Sequence, residues 1–315
     1  MTQLVTTTPA TPPVRLQLAL AAWLDEHSAR PLTHSAYDAE IGRFRAALQR
    51  VDLDLDSPYG LVALVAQAYA AGGGVGAVTH NKRLSIVSSF YTYAIRHQLL
   101  DPPNPIDLVK RRKHTPYARA QALDVGEVRE RLAAIDRSSV AGQRDYALFS
   151  VGLATGRRLR ELAGLRVSHV HLLSDGRVKL TWLHTKGSDD PRYDTLPAPL
   201  SRALLGYLHG WYDGHLGEVP HDAPIWVSLS NNHRGHALSI SAIADVCEKR
   251  IGTSKVHQLR HTFARMLEDA GAKISVIQQR LGHKSAATTS IYLQALRADE
   301  NPYAEELVKV LGVEG

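Results

Sequence analysis

Cysteine is almost missing from this chain, with one residue, Cys247, in 315. A lone cysteine excludes a disulfide framework and a cysteine zinc site within one chain. Cys247 itself reads as a small buried residue on a helix. Long apolar runs are missing as well, since no stretch approaches the roughly 18 unbroken apolar residues of a membrane-spanning helix. The opening MTQLVTTTPATPPV has neither the basic start nor the apolar core of a secretory signal. Residues 1–13 read as a short disordered lead. No internal repeat is present, and low complexity is confined to this Thr/Pro-rich start. These absences point to a cytoplasmic globular protein, and the 44% hydrophobic and 22% charged content agrees.

Positive charge is in excess. Lysine and arginine number 37 against 31 aspartates and glutamates, a formal net charge of +6. That balance favours a polyanionic partner. The surplus is spread on both sides of residue 115, so local clusters have to carry any nucleic-acid argument. The length suits two domains of about 150 residues each.

The first hundred residues read as helices. VRLQLALAAWLDEHS has its apolar residues at helical spacing. SAYDAEIGRFRAALQR opens with Ser35 and Asp38 at capping-box spacing. SPYGLVALVAQAYAAGGG enters through Ser-Pro and stops at a glycine run, and THNKRLSIVSSFYTYAIRHQLL supplies a fourth helix. Four such helices with short connections predict a compact bundle over 14–105. DPPNPIDLVKRRKHTPYARA follows, breaking the helix with prolines and then placing Lys110, Arg111, Arg112 and Lys113 in a row. Residues 106–120 read as a basic linker between domains, suited to crossing a phosphate backbone.

From residue 121 to 315 the elements mix. Asp124 and Glu127 form a second capping box, and QRDYALFSVGLATG is an apolar helix halted by Gly156. RVKLTWLHTK and RYDTLP alternate as strands about the turn GSDDP, a hairpin. Helices resume after Pro199. The fold class expected is mainly α: an N-terminal helical bundle and a mostly helical second domain with a small antiparallel sheet.

The chemistry lies in five short stretches of the second part. ATGRRLREL puts Arg158 at a helix start with Glu161 one turn later, and HTKGSDD puts Lys186 at a strand end. HQLRH sets His257 and Arg260 one turn apart on one helical face. LGHKS places His283 after a helix-ending Gly282, and TTSIYLQ offers Tyr292. Two arginines, a lysine, two histidines and a tyrosine, without an acidic metal cage, are what phosphoryl transfer to a tyrosine requires. The guanidiniums clamp non-bridging oxygens, a lysine protonates the leaving oxygen and a histidine takes the phenol proton. The tyrosine is the nucleophile. No cofactor and no metal are needed for such a step. His257 and His261, spaced i, i+4, could also start a zinc site, but that needs two further ligands and no HExxH glutamate is present.

The motifs TGRRLREL, TKG, HQLRHTFA and LGHKSAATTSIY, in this order, resemble the tyrosine recombinases of the phage-integrase family, which include Xer-like and Cre-like enzymes. The resemblance implies a helical, SAM-like core-binding domain on DNA and a catalytic domain that cleaves and rejoins strands at a specific site through a 3′-phosphotyrosyl intermediate. It implies Arg158 and Arg260 as phosphate-binding residues, Lys186 as general acid and His257 as proton acceptor. His283 would hydrogen-bond the phosphate, Tyr292 would be the nucleophile, and Glu161 and His261 would support the site. Four protomers would act on two duplexes in the nucleoid, with the terminal YAEELVKVL helix docking on a neighbouring subunit. Lys82, Arg83, Lys110, Arg111, Arg112, Lys113 and Arg157 are the candidates for contacting DNA.

Two places depart from the family pattern. Arg157 and Arg160 stand where it usually has an apolar and a small residue, and Asp189 and Asp190 stand where it often has basic ones. Tyr303 is the rival nucleophile, while Thr288 and Thr289 read as capping residues. A catalytically silent DNA binder on this scaffold and a type IB topoisomerase-like relaxing enzyme are the other readings of the same motifs.

Overall fold

The computed structural model describes the chain except residues 1–13, 116, 118–119, 184–189, 214, 284 and 298–315. The chain divides into two compact units, Met1–Thr115 and Pro116–Gly315. The lead, the general-acid candidate Lys186, the rival Tyr303 and the terminal helix all lie outside the described residues.

The first unit is built from α1 (Val14–Asp25), α2 (Pro31–Gln49), α3 (Tyr59–Ala71) and α4 (Ala77–Arg96). Ser35 does not cap α2. Pro31 occupies its first turn and starts the helix earlier, because its fixed φ suits that position and its missing N–H has no helical partner to lose. The apolar faces meet around Trp23, Phe44, Leu48 and Phe90, all fully buried. Trp23 stacks on Tyr37 at 5.4 Å between centroids and meets the edge of Phe90 at 5.6 Å.

The basic run 110–113 is not the free strap expected of a linker. Ile106 and Val109 are buried in the core of the first unit. The following backbone is fastened to α4: the amide of Arg112 donates to Asn81 Oδ1 at 2.9 Å, and Asn81 Nδ2 donates to the Arg112 carbonyl at 2.7 Å. Arg111 donates to the Asn81 carbonyl and to Ser85 Oγ. The apolar anchors, which the charge run overshadows in the sequence, make this segment part of the first unit.

The second unit contains α5 (Val125–Ala133), α6 (Val140–Thr155), α7 (Leu159–Ala163), then β1 (Val170–Leu172), β2 (Val178–Trp182) and β3 (Arg192–Thr195). After these come α8 (Ala198–Trp211), α9 (Ile240–Ile251), α10 (His257–Asp269), α11 (Ile274–Leu281) and α12 (Ala286–Leu296). Asp124 caps α5, its carboxylate accepting from the Glu127 amide at 2.7 Å. The strands form one antiparallel sheet in the order β1-β2-β3. β1 is an addition to the expected hairpin; it is only three residues long and largely exposed, so it carries little alternating pattern. Mainly helical architecture with a small antiparallel sheet is thus what the chain adopts.

Val178, Leu180 and Trp182 line the buried face of β2. Opposite Leu180 the sheet places a carboxylate, Asp194, which is also buried. The main core continues through Phe149, Tyr207 and Trp226. A smaller cluster of Phe263, Ala264, Ile277, Leu281, Tyr292 and Leu293 packs α10, α11 and α12 together.

Gly156 closes α6 in the left-handed region, φ +60, and a Cβ there would stand 2.1 Å from the Phe263 ring. Gly156→Ala should destabilise the second unit by about 2–4 kcal/mol, combining left-handed strain with overpacking. Gly176→Ala is the control: it shares a positive φ, +77, but its Cβ would meet nothing within 4 Å, so it should lose only about 1–2 kcal/mol. Urea unfolding followed by tryptophan fluorescence measures both, and equal losses would contradict the packing argument.

Candidate active site

Three segments converge in the second unit. The turn after α6 brings Arg158, whose extended backbone starts α7. Glu161, one turn on, accepts from the Arg158 amide at 2.9 Å and from its guanidinium at 3.0 Å, so a carboxylate holds both ends of that arginine. The first turn of α10 presents His257, Arg260 and His261 at i, i+3 and i+4, which is one helical face. The turn after α11 brings His283, and the middle of α12 brings Tyr292.

Arg260 is only 4% exposed. Its partners among the described residues are two backbone carbonyls, Gly156 O at 2.7 Å and Leu281 O. The Tyr292 hydroxyl, also buried, is hydrogen-bonded to His261 Nδ1. The rings of His257 and His261 meet edge to face at 4.9 Å, and His283 meets the Tyr292 ring at 5.5 Å. His283 Nδ1 lies 3.1 Å from the hydroxyl of the fully buried Thr289. His257 is the exposed member of the group. Among the described residues no group of three or more His, Cys, Asp or Glu is placed to hold a metal ion.

The arrangement presents two guanidiniums, three imidazoles and a phenol at one place, open on the His257 side. A profile of the phage integrase family matches residues 121–298. The tyrosine recombinase XerD of Pseudomonas aeruginosa is 31% identical over 288 residues, covering 88% of this chain and 91% of its own length. XerC of Bacillus subtilis is 31% identical over 230 residues, covering 70% and 71%. In fold, the chain is similar to a XerH recombinase solved with its difH DNA in a post-cleavage complex. That match has a TM-score of 0.64 at 18% identity, over 91% of this chain and 81% of that one. A lambda integrase (75–356) dimer on a core site matches with a TM-score of 0.58 at 18% identity, over 86% and 96%.

The chain belongs to the phage integrase family. It is a tyrosine recombinase, an enzyme of site-specific DNA recombination.

In this recombinase the candidates Arg158, Glu161, His257, Arg260, His261, His283 and Tyr292 are brought together. Lys82, Arg83 and the 110–113 run stand in the first unit. Arg83 is tied to the Tyr69 and Gly72 carbonyls and lies over the Tyr69 ring, while Lys82 is exposed. Arg157 is not available as a DNA contact. It is 7% exposed, bonds Asp194 through Nε at 2.8 Å and Nη2 at 2.6 Å, and rests on the Trp182 ring. Three arginines in four positions suggest an exposed basic run, whereas the buried Asp194, far along the chain, draws this one inward.

Sequence patterns give no sign of Tyr117. Its ring meets the Tyr292 ring at 5.1 Å and 74°, and its backbone is left-handed at φ +60. The contact pairs residues distant in sequence with no periodic relation between them.

The electrostatics follow from burial among cations. Desolvation, then Arg158, push Arg260 down to about 10, which leaves it charged at neutral pH. Desolvation, then His257 and Arg260, bring His261 to about 4; desolvation with Arg260 and Arg158 brings His283 to about 4. His257 is lowered for the same reasons, desolvation first. Burial raises the Tyr292 phenol. At neutral pH the imidazoles are therefore neutral and the phenol protonated.

Each histidine has a folded-state pKa below its unfolded value of about 6.5. As pH falls below about 6.5 the unfolded chain takes up protons that the folded unit refuses, at His261 and His283 until near pH 4. The stabilisation is complete above that window and is lost progressively across it. Urea midpoints for the second unit should fall as pH is stepped from 7 to 4.5, and His261→Asn should flatten part of that slope. A midpoint constant over this range would contradict the assignment.

Proposed function

We propose that this recombinase cleaves and rejoins duplex DNA at a specific site through a covalent 3′-phosphotyrosyl link to Tyr292, without ATP or metal. The observation that carries the reading is Arg260, a buried guanidinium held only by neutral carbonyls among the described residues, beside the half-buried Arg158. Glu161 supplies one carboxylate to the two neighbouring guanidiniums, so the pair keeps a net positive charge, and a phosphodiester supplies the missing anion. Arg158 is held for that task by Glu161.

In the reaction the Tyr292 oxygen attacks phosphorus and the bond to the 5′ oxygen breaks. Arg158, Arg260 and His283 meet the charge that grows on the non-bridging oxygens. The phenol proton passes to a neutral imidazole, His257 by the family's pattern, and Lys186 protonates the departing 5′ oxygen. A 5′ hydroxyl then reverses the steps. The phosphodiester energy is kept in the tyrosyl ester, so no further energy source enters.

His261 holds the Tyr292 hydroxyl away from solvent in the free protein. The phenol has to leave this contact to attack, which fits a cycle in which DNA binding and the arrival of partner subunits precede cleavage. Four protomers on two duplexes, with the terminal helix docked on a neighbour, complete the reading. The first unit would grip the duplex with Lys82, Lys110, Lys113 and the free edges of Arg111 and Arg112. The site of action would be the nucleoid in the cytoplasm.

The test uses nicked duplex fragments from the DNA flanking the coding sequence, incubated with the full chain in EDTA. Binding is read by gel shift and covalent capture on denaturing gels. Wild type should give capture, and Tyr292→Phe should bind equally and capture nothing. Capture by the variant would move the nucleophile to Tyr303. Binding to a cleavable fragment without wild-type capture would favour a silent DNA binder, and relaxation of supercoiled plasmid without such a site would favour a topoisomerase.

A further inference from the structure

Asp194 is a carboxylate on the apolar face of a sheet, opposite Leu180. A buried charge of that kind persists only where cations or hydrogen bonds compensate it. Asp194 has two arginines: Arg157 on Oδ2 at 2.6 and 2.8 Å and Arg280 Nη1 on Oδ1 at 2.7 Å. One cation would neutralise it. The second brings in another part of the fold.

Arg157 follows Gly156 in the chain, and Arg280 precedes Leu281. Gly156 and Leu281 are the two residues whose carbonyls hold Arg260. The Asp194 carboxylate thus spans the same gap as the Arg260 guanidinium, one residue away on each side. We propose that Asp194, through Arg157 and Arg280, is a positioning residue that sets the direction of Arg260 by fixing the separation of these carbonyls. This rests on the reading of Arg260 as a phosphate-binding residue.

The surroundings favour a spacer over a simple fold anchor. Arg157 is buried and rests on the Trp182 ring at 5.2 Å. Buried ion networks add little stability beyond well-packed apolar residues, whereas the bonds on the two Asp194 oxygens join the residue 157 turn to α11. Arg192 also ties β3 to α11, donating to the Gln279 carbonyl at 3.0 Å, yet that bond does not involve the residue 156 turn. Asp194 touches both.

Arg280 is the place to test this, because its side chain is 51% exposed and its loss leaves no buried charge unpaired; Arg157 still neutralises Asp194. Asp194→Asn is the direct variant, although it strands Arg157 and can unfold the unit. Three readouts on the full chain decide. Thermal unfolding reports the fold, gel shift and single-turnover capture on the nicked duplexes separate binding from rate, and nitrogen-15 spectra of the free protein report the Arg260 guanidinium, assigned with Arg260→Lys.

Arg280→Met should stay folded and bind DNA within about threefold of wild type while capturing about 10- to 100-fold more slowly. Its Arg260 side-chain signal should move, and Arg280→Lys should restore most of the rate. An unchanged rate would overturn the proposal. So would a rate loss matched by equally weakened binding, which would make Arg280 a DNA contact. If wild type captures no fragment, the proposed chemistry fails, and the spectra still decide the positioning: an Arg260 signal identical in wild type and Arg280→Met overturns it.

Discussion

Burying one guanidinium organises the second unit. Arg260 loses its water and gains the Gly156 carbonyl, at the end of α6, and the Leu281 carbonyl, at the end of α11. Carbonyls at helix C-termini lack intrahelical partners and carry the negative end of the helix dipole. Two helix ends therefore meet one cation, and both requirements are met together. The arginine cannot leave without stranding two buried carbonyls, and the helices cannot separate without stranding the arginine. The rest of the guanidinium, with Arg158 nearby, remains available to an anion.

The glycines follow from this convergence. Gly156 and Gly282 both turn the chain in the left-handed region, and at each a Cβ would strike a neighbour: the Phe263 ring at the first and the Arg192 guanidinium, 2.5 Å away, at the second. At Gly156 the close approach of α6 and α10 leaves no room for a side chain, while at Gly282 the obstacle is the flexible end of Arg192 from β3, and it is the left-handed φ of +67 that calls for glycine there. The α10 spacing does the remaining work. With residues 257, 260 and 261 on one face, a single helix turn supplies an exposed imidazole, the buried cation and a buried imidazole. That is why five residues in a row carry so much of the site.

Local chemistry made much of this legible. The Asp124 cap, the stop at Gly156 and the period-two pattern of β2 depend on neighbours within a few positions, and each is visible in the sequence. So was the convergence of Arg158, His257, Arg260, His283 and Tyr292, because the order of the motifs carried it. What was not legible depends on distant partners. Arg157 looks like surface until Asp194 is brought under it by the sheet register. The 110–113 run looks like a free strap until Asn81 and Ser85 on α4 bind its backbone and side chains. Ser35 looks like a cap, yet Pro31 starts α2 earlier by a purely local rule that the pattern of polar residues obscured. Tyr117 meets Tyr292 through nothing that periodicity encodes.

Burial among cations also sets the proton chemistry of the site. Burial first, and then the neighbouring cations Arg260 and Arg158, hold His257 and His283 toward the neutral form; at His261 burial is followed by His257 and Arg260. A neutral imidazole can accept a proton; an imidazolium cannot. The phenol, raised by burial, cannot ionise unaided at neutral pH. Of the two imidazoles on α10, His261 hydrogen-bonds the phenol in the buried pocket, whereas His257 faces the open side where a phosphodiester would enter. The division is physical: a buried base suits holding an idle nucleophile, because a proton placed there would be an unsolvated charge, while an exposed base can pass its proton to water. Movement of the Tyr292 hydroxyl from the first imidazole toward the second would take the phenol from storage to attack, and the approaching phosphate, by balancing Arg158 and Arg260, would raise the basicity of the histidine waiting there.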